Sequence, residues 1–420
     1  MDIALIAYEF FPELGGIGQN FTSFCKQFRK TSHNLFVFNQ YHKGDNIYCI
    51  LDKLDKPRYK FRDWLIFIKR RDLLTLFIKS VGKILFDKYT KNTHKIMLIL
   101  YLFIVPDVLI RTMKNLSHIF QYFEKYNFDL ILGSASGSDI LTTLYLLSRF
   151  FKKKVVSYAH GNEFLVKNKF SLKTYYLRTL DRLIVSNKRT KSLLQEINNI
   201  KEEKISIIPY GLILDDYKVE KTKEQLRYKF NFPNDQFILI SVGRHVPRKN
   251  FQLVIKALYE IKKEKDLNIK YLLIGEGPET SKWKKLVNKL NLNDFVEFLG
   301  AFGGTKRNEY LKAADVFVMP SVALKESIEG FGIVFLEANY LKLPVIGSRS
   351  GGIIHAIKDE QTGFLIDPND LENLKKKILL FYNNRDIVNK MGNMGHKRVV
   401  ENFSWNKIIQ EYIELFEKML

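Results

Sequence analysis

The stretch Glu329-Gly-Phe-Gly-Ile-Val-Phe-Leu-Glu337 decides how this chain is read. A Gly-Phe-Gly turn follows the first carboxylate, and an apolar run leads to the second. Ile333 to Leu341 then reads as a short helix, and Pro344 opens the next strand, Pro-Val-Ile-Gly. Glu329 therefore belongs to the loop before a helix, and Glu337 about one turn inside it. The N–H groups of Phe331, Gly332 and Ile333 are expected to face the same space as Glu329. A helix start with open amides suits an anion. A carboxylate beside it repels that anion, so Glu329 suits a neutral polyol, such as a sugar, next to it.

Working outward, strand, loop and helix alternate on both sides of this block. Ile3 to Tyr8 reads as a buried strand, followed by the loop containing Gly15, Gly16 and Gly18 and a helix through Phe28. A strand, glycine loop and helix form the phosphate-approach unit of doubly wound sheets. Further strands are expected at Asn34–Phe38, Phe128–Gly133, Lys154–Ala159, Arg182–Ser186 and Ile205–Pro209. His160-Gly-Asn-Glu163 sits at the end of one of them, where open α/β sheets carry their ligand sites. The alternation restarts at Phe237–Val242, which runs into Gly243-Arg244-His-Val-Pro-Arg248-Lys249-Asn250 and a helix to about Lys263. A second parallel sheet is the expectation. Tyr271–Ile274 leads into Gly275-Glu-Gly-Pro278, and Val296–Leu299 into Gly300-Ala-Phe302.

The chain has 420 residues, enough for about two to three domains. Lys and Arg number 67 against 45 Asp and Glu, a net charge of +22, which favours polyanionic partners. No finger, RNP-like or helix-turn-helix pattern accompanies that charge, so nucleic acid is not the expected partner. Cys25 and Cys49 give neither a disulfide framework nor a metal cluster. With no secretory leader at the start, a reducing, cytoplasmic location fits. The stretch 52–115 mixes cations with aromatics, including Arg58, Tyr59, Arg62, Trp64 and Phe67. Its apolar run, Ile96 to Val105, is too short to span a bilayer, which takes about 20 residues. Two readings stand open here. One is a helical insertion completing the first core; the other is a basic amphipathic surface resting on the inner face of an anionic membrane.

The block from Met319-Pro-Ser through Glu329…Glu337 to Pro344-Val-Ile-Gly-Ser-Arg-Ser-Gly-Gly352 resembles the retaining GT-B nucleotide-sugar glycosyltransferases of the glycogen-synthase-like family, glycosyltransferase family 4. The resemblance is densest from Ile205 to Pro368. It implies an α/β GT-B fold with two Rossmann-like domains facing across a cleft. The domains would be 1–216, bearing the 52–115 insertion, and 217–403, with 404–420 as a terminal helix crossing back. It further implies that Glu329 faces the donor sugar, Glu337 takes the ribose hydroxyls, and His160 contacts the sugar near the reacting carbon. Arg244 and Lys249, beside Gly243, would clamp the diphosphate, with Arg248 a competing candidate for the cation. Gly15 and Gly16 would touch the diphosphate from the first domain. The loops holding Gly275 and Phe302 would line the base pocket. The activity implied is transfer of a hexose-type sugar, with retention, from a UDP-, GDP- or ADP-sugar to a glycan or lipid-linked acceptor. No cofactor and no metal are expected, because the cations meet the charge growing on the leaving phosphate. The alternatives are a catalytically silent nucleotide- or glycan-binding partner, a nucleotide-sugar 2-epimerase, and a polyanion-binding surface protein.

Overall fold

The computed structural model describes residues 1–6, 16–38, 43–46, 119, 122–123, 125–134, 138–160, 172–325 and 327–420. The 52–115 stretch, Gly15 and residues 161–163 lie outside the described residues. The chain divides into two compact units, Met1–Ile208 with Ile409–Leu420, and Pro209–Ile408.

The first unit is built on a seven-stranded sheet of order β3-β2-β1-β4-β5-β6-β7. Its strands are β1 (Asp2–Ile6), β2 (Asn34–Phe38), β3 (Lys43–Asn46), β4 (Leu130–Ser134), β5 (Lys154–Ala159), β6 (Arg182–Val185) and β7 (Ile205–Ile207). All pairs are parallel except β2 with β3, where Val37 faces Asp45. The sheet expected as purely parallel thus carries an antiparallel edge strand. Lys-Gly-Asp-Asn has no apolar side chain to signal a strand, and its charges suit an edge. Ile3, Ala4, Leu5, Ile131, Val155 and Val156 are wholly buried, as expected of strands covered on both faces.

The second unit has six parallel strands: β8 (Phe237–Val242), β9 (Ile269–Ile274), β10 (Val296–Gly300), β11 (Val316–Met319), β12 (Val345–Ser348) and β13 (Gly363–Ile366). Their order is β10-β9-β8-β11-β12-β13, so the winding reverses between β8 and β11. That reversal opens a crevice beyond the strand ends, where doubly wound sheets bind ligands. The helix Phe251–Glu264 lays Phe251, Val254, Ile255, Leu258 and Ile261 into the core, at helical spacing. Helix Lys223–Lys229 starts on a capping box between Thr222 and Gln225.

The division between the units falls after Ile208, earlier than the boundary expected near Asp216. Residues 209–217 pack with the second unit. Leu212 N–H donates to the Phe403 carbonyl at 2.7 Å, and Trp405 N–H to the Leu212 carbonyl at 3.0 Å. The Tyr217 hydroxyl donates to Glu337 Oε1 at 2.7 Å. The helix Trp405–Met419 is shared: Ile409 onward belongs to the first unit, where Tyr412 packs edge-on against Phe24.

Beneath β8 and β11 lies a buried ionic cluster. Asp315 takes Arg227 at 2.7 Å, Lys223 at 2.6 Å, Arg385 at 3.1 Å and the Ile238 N–H at 2.7 Å. Arg227 also donates to the carbonyls of Ala313, Asn234 and Gln236. Burial raises the Asp315 carboxyl, but Lys223 and Arg227 outweigh it and hold it below its ordinary range. Asp315→Asn leaves the Arg227 charge buried and uncompensated, and should cost about 3–5 kcal/mol. Urea unfolding followed by circular dichroism measures it. A loss below about 1 kcal/mol, the level of a surface pair, would show the cluster to be dispensable.

Candidate functional site

The site of the second unit is assembled from the loops after β8, β11 and β12. After β8 the chain passes Gly243 and Arg244 and makes a 3₁₀ turn, Pro247–Lys249. Asn250 then adopts φ 54°, left-handed, and the helix Phe251–Glu264 begins. This turn aims Arg248 and Lys249 at the loop after β11. Both cations donate to the same oxygen of Glu329, Oε2, with Lys249 at 2.7 Å and Arg248 in close contact. The three side chains are largely covered, exposed by 18% at Arg248, 11% at Lys249 and 13% at Glu329. Burial pushes the Glu329 carboxyl up; the Lys249 and Arg248 charges outweigh it and hold it below its ordinary range. The trio is net positive by one charge. No described residue hydrogen-bonds Glu329 Oε1.

The Glu329 backbone is held from the loop after β12. Gly352 N–H donates to the Glu329 carbonyl at 2.8 Å. A Cβ on Gly351, at φ 58°, would stand 2.3 Å from that oxygen, and one on Gly352 2.0 Å from the Gly330 carbonyl oxygen. Only glycine lets the two loops touch this closely. Gly332, at φ 80°, caps the helix Ile333–Tyr340, and a Cβ there would strike the Phe335 ring at 2.8 Å. The first helical hydrogen bond runs from Phe335 N–H to the Gly332 carbonyl, 2.9 Å, so the Ile333 and Val334 amides precede it. The Phe331 side chain, in contrast, packs inward against Tyr210 and Phe403 and takes no part through its ring.

Glu337 lies one turn along that helix, 2% exposed. Its Oε1 accepts from Tyr217, and its Oε2 pairs with Arg307 at 3.3 Å. Burial, followed by the Glu337 charge, raises the Tyr217 hydroxyl, so it remains a donor. Arg307 and Tyr217 are partners that the sequence did not single out. Gly243 N–H donates to the Ile274 carbonyl and Gly275 N–H to the Gly300 carbonyl, each at 2.9 Å, which stacks the three loop starts on one edge. Phe302 is half-buried, with the Lys306 ammonium 4.5 Å from its ring centre. Arg244 is exposed and stands outside the ion trio, whereas Arg248 is inside it. Lys249 and Arg248 both stand beside Glu329. The buried Arg248 Nε, Ser321 Oγ and Ser350 Oγ have no hydrogen-bond partner among the described residues. Among those residues no group of three or more His, Cys, Asp or Glu gathers in metal-holding range.

In the first unit, Gly16 begins the helix Gly16–Phe28, and His160 directly follows β5. The imidazole is 6% exposed, stacked on Tyr158 at 5.9 Å between ring centres and edge-on to Phe21 at 6.0 Å. Burial lowers its pKa to about 4, so it is neutral at pH 7. A neutral imidazole is a hydrogen-bonding group rather than a phosphate-binding cation. No helix among the described residues is long and apolar enough to cross a membrane.

Residues 222–398 match the family model described as glycosyl transferases group 1. An uncharacterised glycosyltransferase of Methanocaldococcus jannaschii is 26% identical over 76% of this chain and 82% of its own length. Sucrose-phosphate synthase from Thermosynechococcus elongatus superposes with a TM-score of 0.72 at 21% identity, covering 100% of this chain and 99% of its own. Anabaena HepE in complex with UDP superposes with a TM-score of 0.70 at 17% identity, covering both chains fully, 100% each.

The histidines set a pH limit on stability. His245, wholly buried against Trp283, is likewise lowered to about 4, by burial and then by the Lys284 charge. An unfolded histidine titrates near about 6.5. Above that value neither state is protonated and the full stability is present. As pH falls from 6.5 toward 4 the unfolded chain takes up the protons first and stability declines. Each such histidine contributes a slope of about 1.4 kcal/mol per pH unit. Urea midpoints between pH 6.5 and 5, above the carboxylate range, should fall, and less steeply in His160→Gln and in His245→Gln. Wild-type slopes in both variants would show that neither imidazole is held neutral.

Proposed function

Because residues 222–398 match the glycosyl transferases group 1 model, and the chain has the two Rossmann-like sheets of the GT-B class, we propose that it transfers a hexose-type sugar from a nucleoside-diphosphate sugar to a glycan or lipid-linked acceptor, with retention and without a metal. The observation that carries the reading is the ion trio Arg248–Lys249–Glu329 at the switch point of the second sheet. It combines surplus positive charge with a carboxylate oxygen that no described residue hydrogen-bonds. The Lys249 ammonium suits a diphosphate, and the carboxylate oxygen suits a sugar hydroxyl.

In this reading Lys249, joined by the exposed Arg244 and the amides at the start of helix Ile333–Tyr340, holds the diphosphate. Charge-assisted hydrogen bonds contribute roughly 1.5–3 kcal/mol each, and a helix terminus about 0.3–1, so the cations dominate. Glu337 accepts the ribose diol on lone pairs not engaged by Tyr217 and Arg307; a carboxylate offers about four. Glu329 Oε1 orients the hexose; neutral His160, in the first unit, is proposed as a hydrogen-bonding group for a sugar. The anomeric C–O bond breaks as negative charge grows on the leaving phosphate, where fixed cations stabilise most. The acceptor hydroxyl attacks from the face the phosphate leaves, and its proton passes to that phosphate. The likeness to HepE with UDP makes UDP the first nucleotide to try. The acceptor's chemistry is assigned to the first unit, with the basic, aromatic 52–115 stretch as the candidate contact to a lipid-linked acceptor on an anionic membrane.

The test is a thermal-shift and calorimetric screen of UDP-, GDP- and ADP-sugars on wild type and Glu337→Ala, each shift taken from the variant's own baseline. One nucleotide should stabilise the wild type, and bind Glu337→Ala about tenfold or more weakly. Equal affinity in both would remove Glu337 from the ribose site, and no binding by the wild type would remove the donor reading. Excess EDTA should leave turnover unchanged. Activity lost to EDTA and restored by Mg²⁺ would overturn the metal-free transfer.

A further inference from the structure

The donor reading gives Lys249 two anionic claimants, the donor phosphate and Glu329. A buried carboxylate that loses its cation tends to take up a proton or swing away, because an unpaired charge is costly in a covered site. Something else must hold Glu329 while Lys249 attends to the phosphate.

We propose that Arg248 is the positioning residue for Glu329: its guanidinium holds Oε2 throughout the reaction and leaves Oε1 as the acceptor for a sugar hydroxyl. The inference rests on the donor reading above and extends it to a residue outside the Arg244/Lys249 clamp. Three observations carry it. First, both cations converge on one oxygen, Oε2, so either alone still anchors the carboxylate by the same atom. Second, Arg248 is fixed at its own backbone. It sits mid-turn in Pro247–Lys249, and its carbonyl accepts the Val322 N–H at 2.9 Å, tying the loop after β8 to the loop after β11. Third, Glu329 is pinned from the other side, where its carbonyl accepts Gly352 N–H at 2.8 Å and Gly351 and Gly352 press against the 329–330 backbone. A carboxylate gripped at its main chain by two glycines and at one oxygen by a planar cation has one oxygen left to work with. Lys249 is the more adaptable partner. Its flexible stem carries a point charge with three donors, one of them now near Met319 Sδ at 3.2 Å. A lysine ammonium can rotate to a phosphate; a covered guanidinium with a buried Nε has less room to turn.

The test compares wild type, Arg248→Gln, Arg248→Lys, Glu329→Gln and the double variant Arg248→Gln/Glu329→Gln. Affinity for UDP, GDP and ADP is measured by calorimetry. Hydrolysis of UDP-glucose, GDP-mannose and ADP-glucose is followed by nucleoside diphosphate release, with kcat and KM separated. Arg248→Gln should keep nucleoside diphosphate affinity within about twofold of wild type, yet lose at least about tenfold in kcat, the rate equivalent of one charge-assisted hydrogen bond. Arg248→Lys should recover most of that loss. The double variant should match Glu329→Gln, because Arg248 acts only through Glu329. If Arg248→Gln unfolds, the cycle is read on Arg248→Met with Glu329→Gln. A kcat equal to wild type in Arg248→Gln overturns the inference and leaves the donor reading standing. So does a loss of nucleoside diphosphate affinity that makes Arg248 a phosphate ligand. A wild type that binds and hydrolyses none of these nucleotides overturns both.

Discussion

Two cations and one carboxylate share a covered pocket at the end of β8, and the second unit is arranged so that they meet. Lys249 and Arg248 both reach Glu329 Oε2. A lone carboxylate in such a place would sit at a raised pKa; two adjacent positive charges reverse that, and Glu329 stays ionised. Burial also keeps the trio from being screened as a surface pair would be. The contact requires a turn that points Arg248 and Lys249 the same way, and a glycine-lined approach between the loops after β11 and β12. Both follow from residues that have little other reason to be present: left-handed Asn250, Gly332, and the Gly351-Gly352 pair.

The placement follows from topology. In the sheet order β10-β9-β8-β11-β12-β13 the helices leave in opposite directions after β8 and β11, and the strand ends separate there. Loops from neighbouring but sequence-distant strands then converge, so residues 248 and 329 become partners across some eighty positions of chain. The opposite end of the same strands is closed by the Asp315 cluster, which ties helix Lys223–Lys229 and Arg385 to the start of β8. One end is stapled by a fully satisfied ionic group, and the other presents a cluster with spare donors. This division of labour lets one sheet be rigid and still offer a charged crevice.

Much of this was legible before any coordinates. Parallel strands covered on both faces read as solid apolar runs, so Phe237–Val242 announced itself. The helix after Gly332 was legible because a glycine turn, an apolar run and a proline-led strand stand in sequence. The edge strand Lys43–Asn46 was not, since a four-residue polar strand carries no periodic signal. The boundary expected at residue 216 comes from a resemblance, whereas a tyrosine hydroxyl and two backbone bonds fasten Leu212 and Tyr217 to the second unit. The partnership of Arg248 with Glu329 was hidden for a simpler reason. Adjacent residues of a 3₁₀ turn can point alike, and sequence spacing does not say which of Arg244, Arg248 and Lys249 shares an oxygen with a distant glutamate. The glutamate at 337 was legible as a site residue, but its two partners, Tyr217 and Arg307, come from elements that sequence spacing does not connect.

One role underlies the whole reading: Lys249 of the loop after β8 holds a diphosphate. It is tested most directly, and without knowing the base, by calorimetric titration of inorganic pyrophosphate into wild type and Lys249→Gln. The wild type should bind measurably and the variant about tenfold or more weakly, with unfolding midpoints close to each other. Equal affinity in the two proteins, or no binding by the wild type, would contradict it.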